Sequence, residues 1–190
     1  MAKAEIYLLR HGETEWNATG RFQGRLDSPL TTRGVAQAEK FAQRLAPWAA
    51  TFSAFAVSPL GRARQTSSII RSAGSFPPEQ IDERLAEVSI GSWDGLTHVD
   101  IDACWPGLLD GATSFDWYFR SPNGENYADA AARARDWLDD LTGKVVAITH
   151  GLMSRIIRGT YLGLSKDDTL HLPVTQDAIW YLAEGSSTTI

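Results

Sequence analysis

Two compact apolar runs, each ending in a histidine–glycine pair, restrict this chain more than any other feature. Ile6 to Leu9 runs into Arg10-His11-Gly12, and Val145 to Ile148 runs into Thr149-His150-Gly151. Runs of this length without alternating polar residues suit strands covered on both faces, as in a parallel sheet. Ala54 to Val57 reads as a weaker third strand, Ile81 to Arg84 as a short further one, and Ala178 to Leu182 as an edge strand.

Helical patterns separate these strands. Val35, Ala38, Phe41 and Leu45 recur at helical spacing, with Thr32 as N-cap and Pro47 beyond the end. Gly61 to Ala73 follows a Ser58-Pro59 start. Tyr127, Ala131, Ala134, Leu138 and Leu141 form a stripe that stops at Gly143, and Leu152, Ile156 and Tyr161 continue directly from the Val145 strand. Strand alternating with helix predicts an α/β fold, a three-layer α/β/α sandwich around a mostly parallel sheet. Ligands of such sheets sit beyond the carboxyl ends of the strands. His11, His150, Arg10 and Arg62 therefore leave the sheet at one edge.

The 190 residues suit a single domain over 1–190, with the tail of about 185–190 expected to be flexible. Eighteen Lys and Arg against 23 Asp and Glu give a net charge of −5. That balance argues against a nucleic-acid-binding face but permits one arginine-rich anion pocket. No apolar run approaches a membrane span, the amino-terminal stretch lacks a signal-peptide core, and the single Cys104 excludes an internal disulfide. A cytoplasmic protein is expected, with no membrane partner.

The residues at the predicted sheet edge suit phosphate. Arginine offers a planar fork of donors to phosphate oxygens, and glycine lets backbone N–H groups approach a ligand. A helix opening at Gly151 adds unpaired N–H groups and partial positive charge. No histidine spacing suits zinc and no acidic triplet suits magnesium, so neither metal nor cofactor is expected.

Leu9-Arg10-His11-Gly12-Glu13-Thr14 with Trp16-Asn17 resembles the signature of the histidine phosphatase superfamily, the phosphoglycerate-mutase-like family. Further blocks match in order: Arg21-Phe22-Gln23-Gly24 leading to Leu30-Thr31-Thr32-Arg33-Gly34, Ser58 to Thr66, Leu85-Ala86-Glu87 with Gly91 to Gly95, and Thr149-His150-Gly151 with Arg155. The resemblance implies a phosphohistidine on His11, a clamp on the non-bridging oxygens from Arg10 and Arg62, and a second contact from His150. Glu87 would be the general acid, carrying a proton for the leaving oxygen and later activating water. Asn17, Gln23, Gly24 and Gly151 would add contacts to phosphate or substrate. Many relatives place another glycine after His-Gly, where this chain has Leu152-Met153-Ser154, so Leu152 either narrows the pocket or faces the core.

The resemblance leaves phosphatase and mutase open. Mutases of the family are usually longer and carry extra basic residues in an insertion. Between Leu96 and Ser121 this chain has one arginine, Arg120, and no lysine. It has instead Trp105, Phe115, Trp117, Tyr118 and Phe119, expected mostly as the core of a small helical or loop cap lobe within about 93–127, with a minority able to line an entrance and favour a substrate with an apolar or aromatic part. The short length and absent basic pair favour the phosphatase-type branch acting on a small phosphate monoester. A mutase and an inactive phospho-ligand binder stay as alternatives, and the oligomeric state is left open. Arg21 and Arg25 read as solvated loop residues or pocket-entrance residues, Arg64 as a helical ion-pair partner, and His98, His171 and Cys104 as residues without a role in the chemistry.

Overall fold

A computed structural model describes residues 4–113 and 116–190, so Phe115 of the aromatic segment lies outside the described residues. The predicted apolar runs form strands β1 (Glu5–Arg10), β2 (Ala54–Val57), β3 (Glu79–Ile81), β4 (Lys144–Thr149) and β5 (Ile179–Ala183), joined by β6 (Ser186–Thr189). They make one sheet in the order β3-β2-β4-β1-β5-β6. β1 pairs in parallel with β4, with Ile6 beside Val145 and Arg10 beside Thr149, and β2 pairs in parallel with β4 and β3. β5 runs antiparallel to both β1 and β6. This is an α/β fold with a mostly parallel sheet flanked by helices.

Alternation along the strands builds two apolar layers. Ile6, Leu8, Val145 and Ala147 face α5 (Tyr127–Asp139) and α6 (Gly151–Leu162), packing on Ala134, Trp137, Met153 and Ile157. Tyr7, Leu9, Val146 and Ile148 face α2 (Thr32–Leu45) and α3 (Gly61–Arg71), packing on Phe41, Leu45, Ala63 and Ile70. With both faces covered, the continuous apolar character of β1 and β4 follows. A short α1 (Glu15–Ala18) follows β1, and α7 (Lys166–His171) follows α6. Among the described residues, no helix is long and apolar enough to cross a membrane.

A third apolar cluster belongs to the cap segment. Ile90, Trp93 and Ile101 are buried there, with Phe22, Trp105, Trp117 and Tyr118 packed against them. α4 (His98–Cys104) crosses this cluster, started by a capping box between Thr97 and Asp100. Arg120 donates to the carbonyls of Leu108, Asp110 and Gly111 at 3.2, 2.8 and 3.3 Å, closing the segment on itself.

Four local expectations need correction. The cap of α2 is Thr31 rather than Thr32: its backbone is extended and its hydroxyl accepts the Gly34 N–H at 3.0 Å. α3 starts at Gly61 as expected but ends at Arg71, and Pro59 lies before the helix rather than in its first turn, with Asp27 capping it from a distance. β3 covers Glu79–Ile81 and ends where the strand is expected to begin, because the Asp82 carboxylate accepts the Arg84 N–H at 2.9 Å and starts a 3-10 turn. The tail is not loose, and β5 is not the edge. Glu184 and Gly185 both take positive φ (51° and 76°), as a two-residue hairpin turn requires, and Ser186–Thr189 returns as the edge strand.

Candidate active site

The backbone N–H of His11 donates to the Thr149 carbonyl at 3.0 Å, extending the β1–β4 ladder by one residue. Its Nδ1 lies 2.7 Å from the Gly12 carbonyl oxygen. A carbonyl can only accept, so Nδ1 carries the proton and Nε2 keeps its lone pair. The turn that aims this ring passes α2 backbone to backbone. A Cβ on Gly12 would lie 2.3 Å from the Gly34 oxygen, and one on Gly34 would lie 2.0 Å from the Glu13 oxygen. The Gly12 N–H donates to Thr66 Oγ1 at 3.1 Å, and that hydroxyl donates to the Arg62 carbonyl at 2.9 Å.

Arg62, on the first turn of α3, is 2% exposed. Its Nε donates to His11 Nε2 at 3.2 Å, a contact that also requires a lone pair on that nitrogen. Its Nη1 donates to the Leu26 carbonyl at 2.6 Å and to Asp27 at 2.9 Å, and its Nη2 donates to the Gly24 carbonyl at 2.9 Å. Burial first, then the Arg62 and Arg10 charges, hold His11 well below the ordinary histidine range, against a smaller opposing effect of the Gly12 hydrogen bond. The ring is therefore neutral near pH 7. Arg10, at the end of β1, keeps a buried Nε without a hydrogen-bond partner among the described residues.

His150 is fully buried at the N-cap of α6, its ring 5.1 Å from that of His11. Nε2 lies 2.6 Å from Ser58 Oγ, while Nδ1 has no hydrogen-bond partner among the described residues. Burial, followed by Arg62, His11, Arg10 and Arg133, also holds this histidine well below its ordinary range.

Glu87 meets the N-terminus of α6. Its carboxylate accepts the N–H groups of Leu152 at 3.2 Å, Met153 at 3.0 Å and its own neighbour Val88 at 3.0 Å. An ion pair brackets the loop that carries it. Arg133 donates to the carbonyls of Arg84 and Ala86 at 2.6 and 2.8 Å and to Glu125 at 2.6 Å, and Glu125 accepts the Ser89 N–H at 3.2 Å.

These groups line a cleft of about 310 Å³. Arg10, His11, Asn17, Gln23, Gly24, Arg62, Glu87 and Gly151 all line it, and the fully buried His150 does not. Asn17 Oδ1 accepts from Gln176 Nε2 at 3.1 Å, and Gln23 Oε1 accepts the Ser28 hydroxyl at 3.2 Å. Leu152 does both things its position allowed: it lines the cleft and packs in the core. Among the described residues, no group of three His, Cys, Asp or Glu side chains could hold a metal ion.

Sequence reasoning gave no site role to Arg155 and left Arg21 and Tyr118 undecided; all three line the cleft. Arg155 donates through Nε to the Leu172 carbonyl at 2.6 Å. Burial, then the Glu87 charge, pushes the Tyr118 hydroxyl up to about 12, so it stays a neutral phenol. Its place is fixed by stacking on Trp117, with ring centroids 3.8 Å apart. The helical spacing of Arg155 from Gly151 was a usable signal, and Tyr118 had none beyond its aromatic company. Arg25 instead pairs with Glu125 at 3.7 Å, Arg64 pairs with Glu79 at 3.5 Å on the surface, and His98, Cys104 and His171 are exposed away from the cleft lining.

Residues 6–187 match the family described as the histidine phosphatase superfamily, branch 1. The chain is 35% identical to a protein of Serratia proteamaculans named probable phosphoglycerate mutase GpmB, over 84% of this chain and 75% of that one. It is 32% identical to the glucosyl-3-phosphoglycerate phosphatase of Mycolicibacterium vanbaalenii, over 97% of this chain and 86% of that one. Among solved structures, YhfR of Bacillus stearothermophilus superposes with a TM-score of 0.83 at 30% identity, covering 98% of this chain and 95% of that one. On the match across nearly its whole length, the chain belongs to branch 1 of the histidine phosphatase superfamily.

Proposed function

We propose that the protein hydrolyses a small phosphate monoester through a phosphohistidine on His11. The observation that carries this reading is the neutral imidazole whose Nδ1–H is tied to Gly12, leaving the Nε2 lone pair beside Arg62 in an arginine-lined cleft. Nε2 attacks phosphorus, a P–N bond forms, and the ester P–O bond breaks. Glu87 supplies a proton to the departing oxygen and then takes one from the water that cleaves the P–N bond, regenerating His11 and releasing phosphate. Arg10 and Arg62 receive the charge spread over the non-bridging oxygens. When a phosphoryl group enters, the Arg62 Nε–H moves from the His11 lone pair to one of those oxygens, freeing the nucleophile.

A mutase reading draws on the name of the Serratia relative. The course of Arg120 favours hydrolysis: the one arginine between Leu96 and Ser121 is spent on cap carbonyls, and the cap presents Tyr118 to the cleft. The test is phosphate release from p-nitrophenyl phosphate in EDTA by wild type and His11→Ala, with acid-labile phosphoprotein trapped by rapid quench. Wild-type turnover with a loss of at least about 10³-fold in the variant is expected. Near-wild-type activity in His11→Ala sinks the mechanism. Isomer interconversion stimulated by a bisphosphorylated primer, above the rate of phosphate release, replaces hydrolysis with the mutase reading.

A further inference from the structure

The Ser58–His150 contact decides which ring nitrogen of His150 holds its proton. Ser58 directly follows β2 and is fully buried, with Oγ 2.6 Å from Nε2. The same oxygen accepts the Leu60 N–H at 3.3 Å. A neutral imidazole permits two arrangements. If Nε2–H donated to Ser58, the hydroxyl proton and the Nδ1 lone pair would both be buried without partners among the described residues. If the Ser58 hydroxyl donates to Nε2, its oxygen still accepts from Leu60, and Nδ1–H alone is left unpaired. Each orphaned buried polar group carries a desolvation cost, so the arrangement with one orphan is favoured over that with two.

We propose that Ser58 is a positioning residue that fixes His150 as the Nδ1–H tautomer, so that a buried donor awaits a phosphoryl oxygen. Burial, and then the nearby Arg62 charge, keep the ring neutral before an anion arrives, which makes the tautomer, rather than the charge, the property to be fixed. The identity of the ligand rests on the phosphatase reading; the tautomer does not. Ser58 acts through His150 and is not asked to touch substrate.

The test is a long-range ¹⁵N–¹H correlation spectrum of the labelled protein, with His150 assigned by loss of its signals in His150→Gln. Orthovanadate serves as the phosphate-like probe. Wild type is expected to show a protonated Nδ1 and an unprotonated Nε2, with the Nδ1 resonance moving on vanadate addition. Ser58→Ala should lose the single tautomer and bind vanadate about tenfold more weakly, on the scale of one hydrogen bond to an anion. Ser58→Thr, which keeps the hydroxyl, should restore both. A wild-type Nε2–H form, or an unchanged tautomer in Ser58→Ala, overturns the proposal. If the alanine variant does not fold, the wild-type spectrum still decides. Vanadate binding with the expected tautomer, but no phosphate release from any ester, would remove the phosphatase reading and leave this one standing.

Discussion

One oxygen of the Asp27 carboxylate, Oδ1, accepts hydrogen bonds from both ends of Arg62: the backbone N–H at 3.2 Å and Nη1 at 2.9 Å. The other oxygen accepts the Gly61 N–H at 2.7 Å. One side chain therefore caps α3 and aims the guanidinium that touches His11. Asp27→Ala should lose about 1 kcal/mol of capping energy, lowering Tm by roughly 2–4 °C, measured by calorimetry. In the same variant, kcat/KM should fall by about tenfold or more as Arg62 loses its anchor. A variant that melts early yet turns over normally would separate the two roles and refute the second.

Acid should destabilise the protein through its two buried histidines. Unfolded, each takes up a proton near pH 6.5; folded, burial and neighbouring arginines defer this to much lower pH. Between those limits the unfolded chain binds more protons, so stability is fully present above about pH 6.5 and is lost as pH falls below it. The slope approaches about 1.4 kcal/mol per pH unit for each histidine. Urea unfolding at pH 7.5, 6.5 and 5.5 in phosphate-free buffer measures it, and His11→Asn should remove about half. The acid limb of kcat/KM should likewise lie well below the usual histidine range, since His11 must be neutral to attack.

Glu87→Gln tests proton donation. Hydrolysis of alkyl phosphates, whose leaving oxygens need a proton, should slow by roughly 10²–10⁴-fold, whereas p-nitrophenyl phosphate should suffer far less. Equal losses with both leaving groups would assign Glu87 to holding α6 alone, a role its contacts with Leu152 and Met153 already give it.

Gly34→Ala places a methyl group 2.0 Å from the Glu13 carbonyl, with backbone on both sides and no flexible side chain to yield. The turn carrying His11 must shift. A loss of about 1–3 kcal/mol or more in chemical denaturation is expected, together with a drop in kcat. Unchanged stability would mean the crossing of that turn over α2 is looser than its geometry implies.

Much of this was legible in the chain. β1 and β4 stood out because strands covered on both faces cannot afford alternating polar residues. Arg10, His11, Arg62 and Glu87 sit together at the cleft because they follow strand ends or loops at one edge of the sheet. Asp27 was invisible: it caps a helix from 34 residues upstream, and nothing local marks such a partner. The tail was misread for a different reason. Ser186 to Thr189 is polar on both faces, as an outermost strand can be, and the signal lay in Glu184-Gly185 and the β-branched threonines. Tyr118 depends on how the cap folds on itself, which periodicity does not encode.

The cap has its own apolar kernel around Trp93, Ile101 and Trp117, and it meets the layer beneath through Tyr118 and Phe119 and through the Lys166–Asp116 ion pair. Its segment closes through Arg120 on its own carbonyls, and the kernel brings Tyr118, Ile90 and Phe22 to the cleft. Under the proposed phosphatase reading, changes confined to that kernel would alter which leaving group is accepted while leaving the histidine floor, and with it the breaking of the P–O bond, in place.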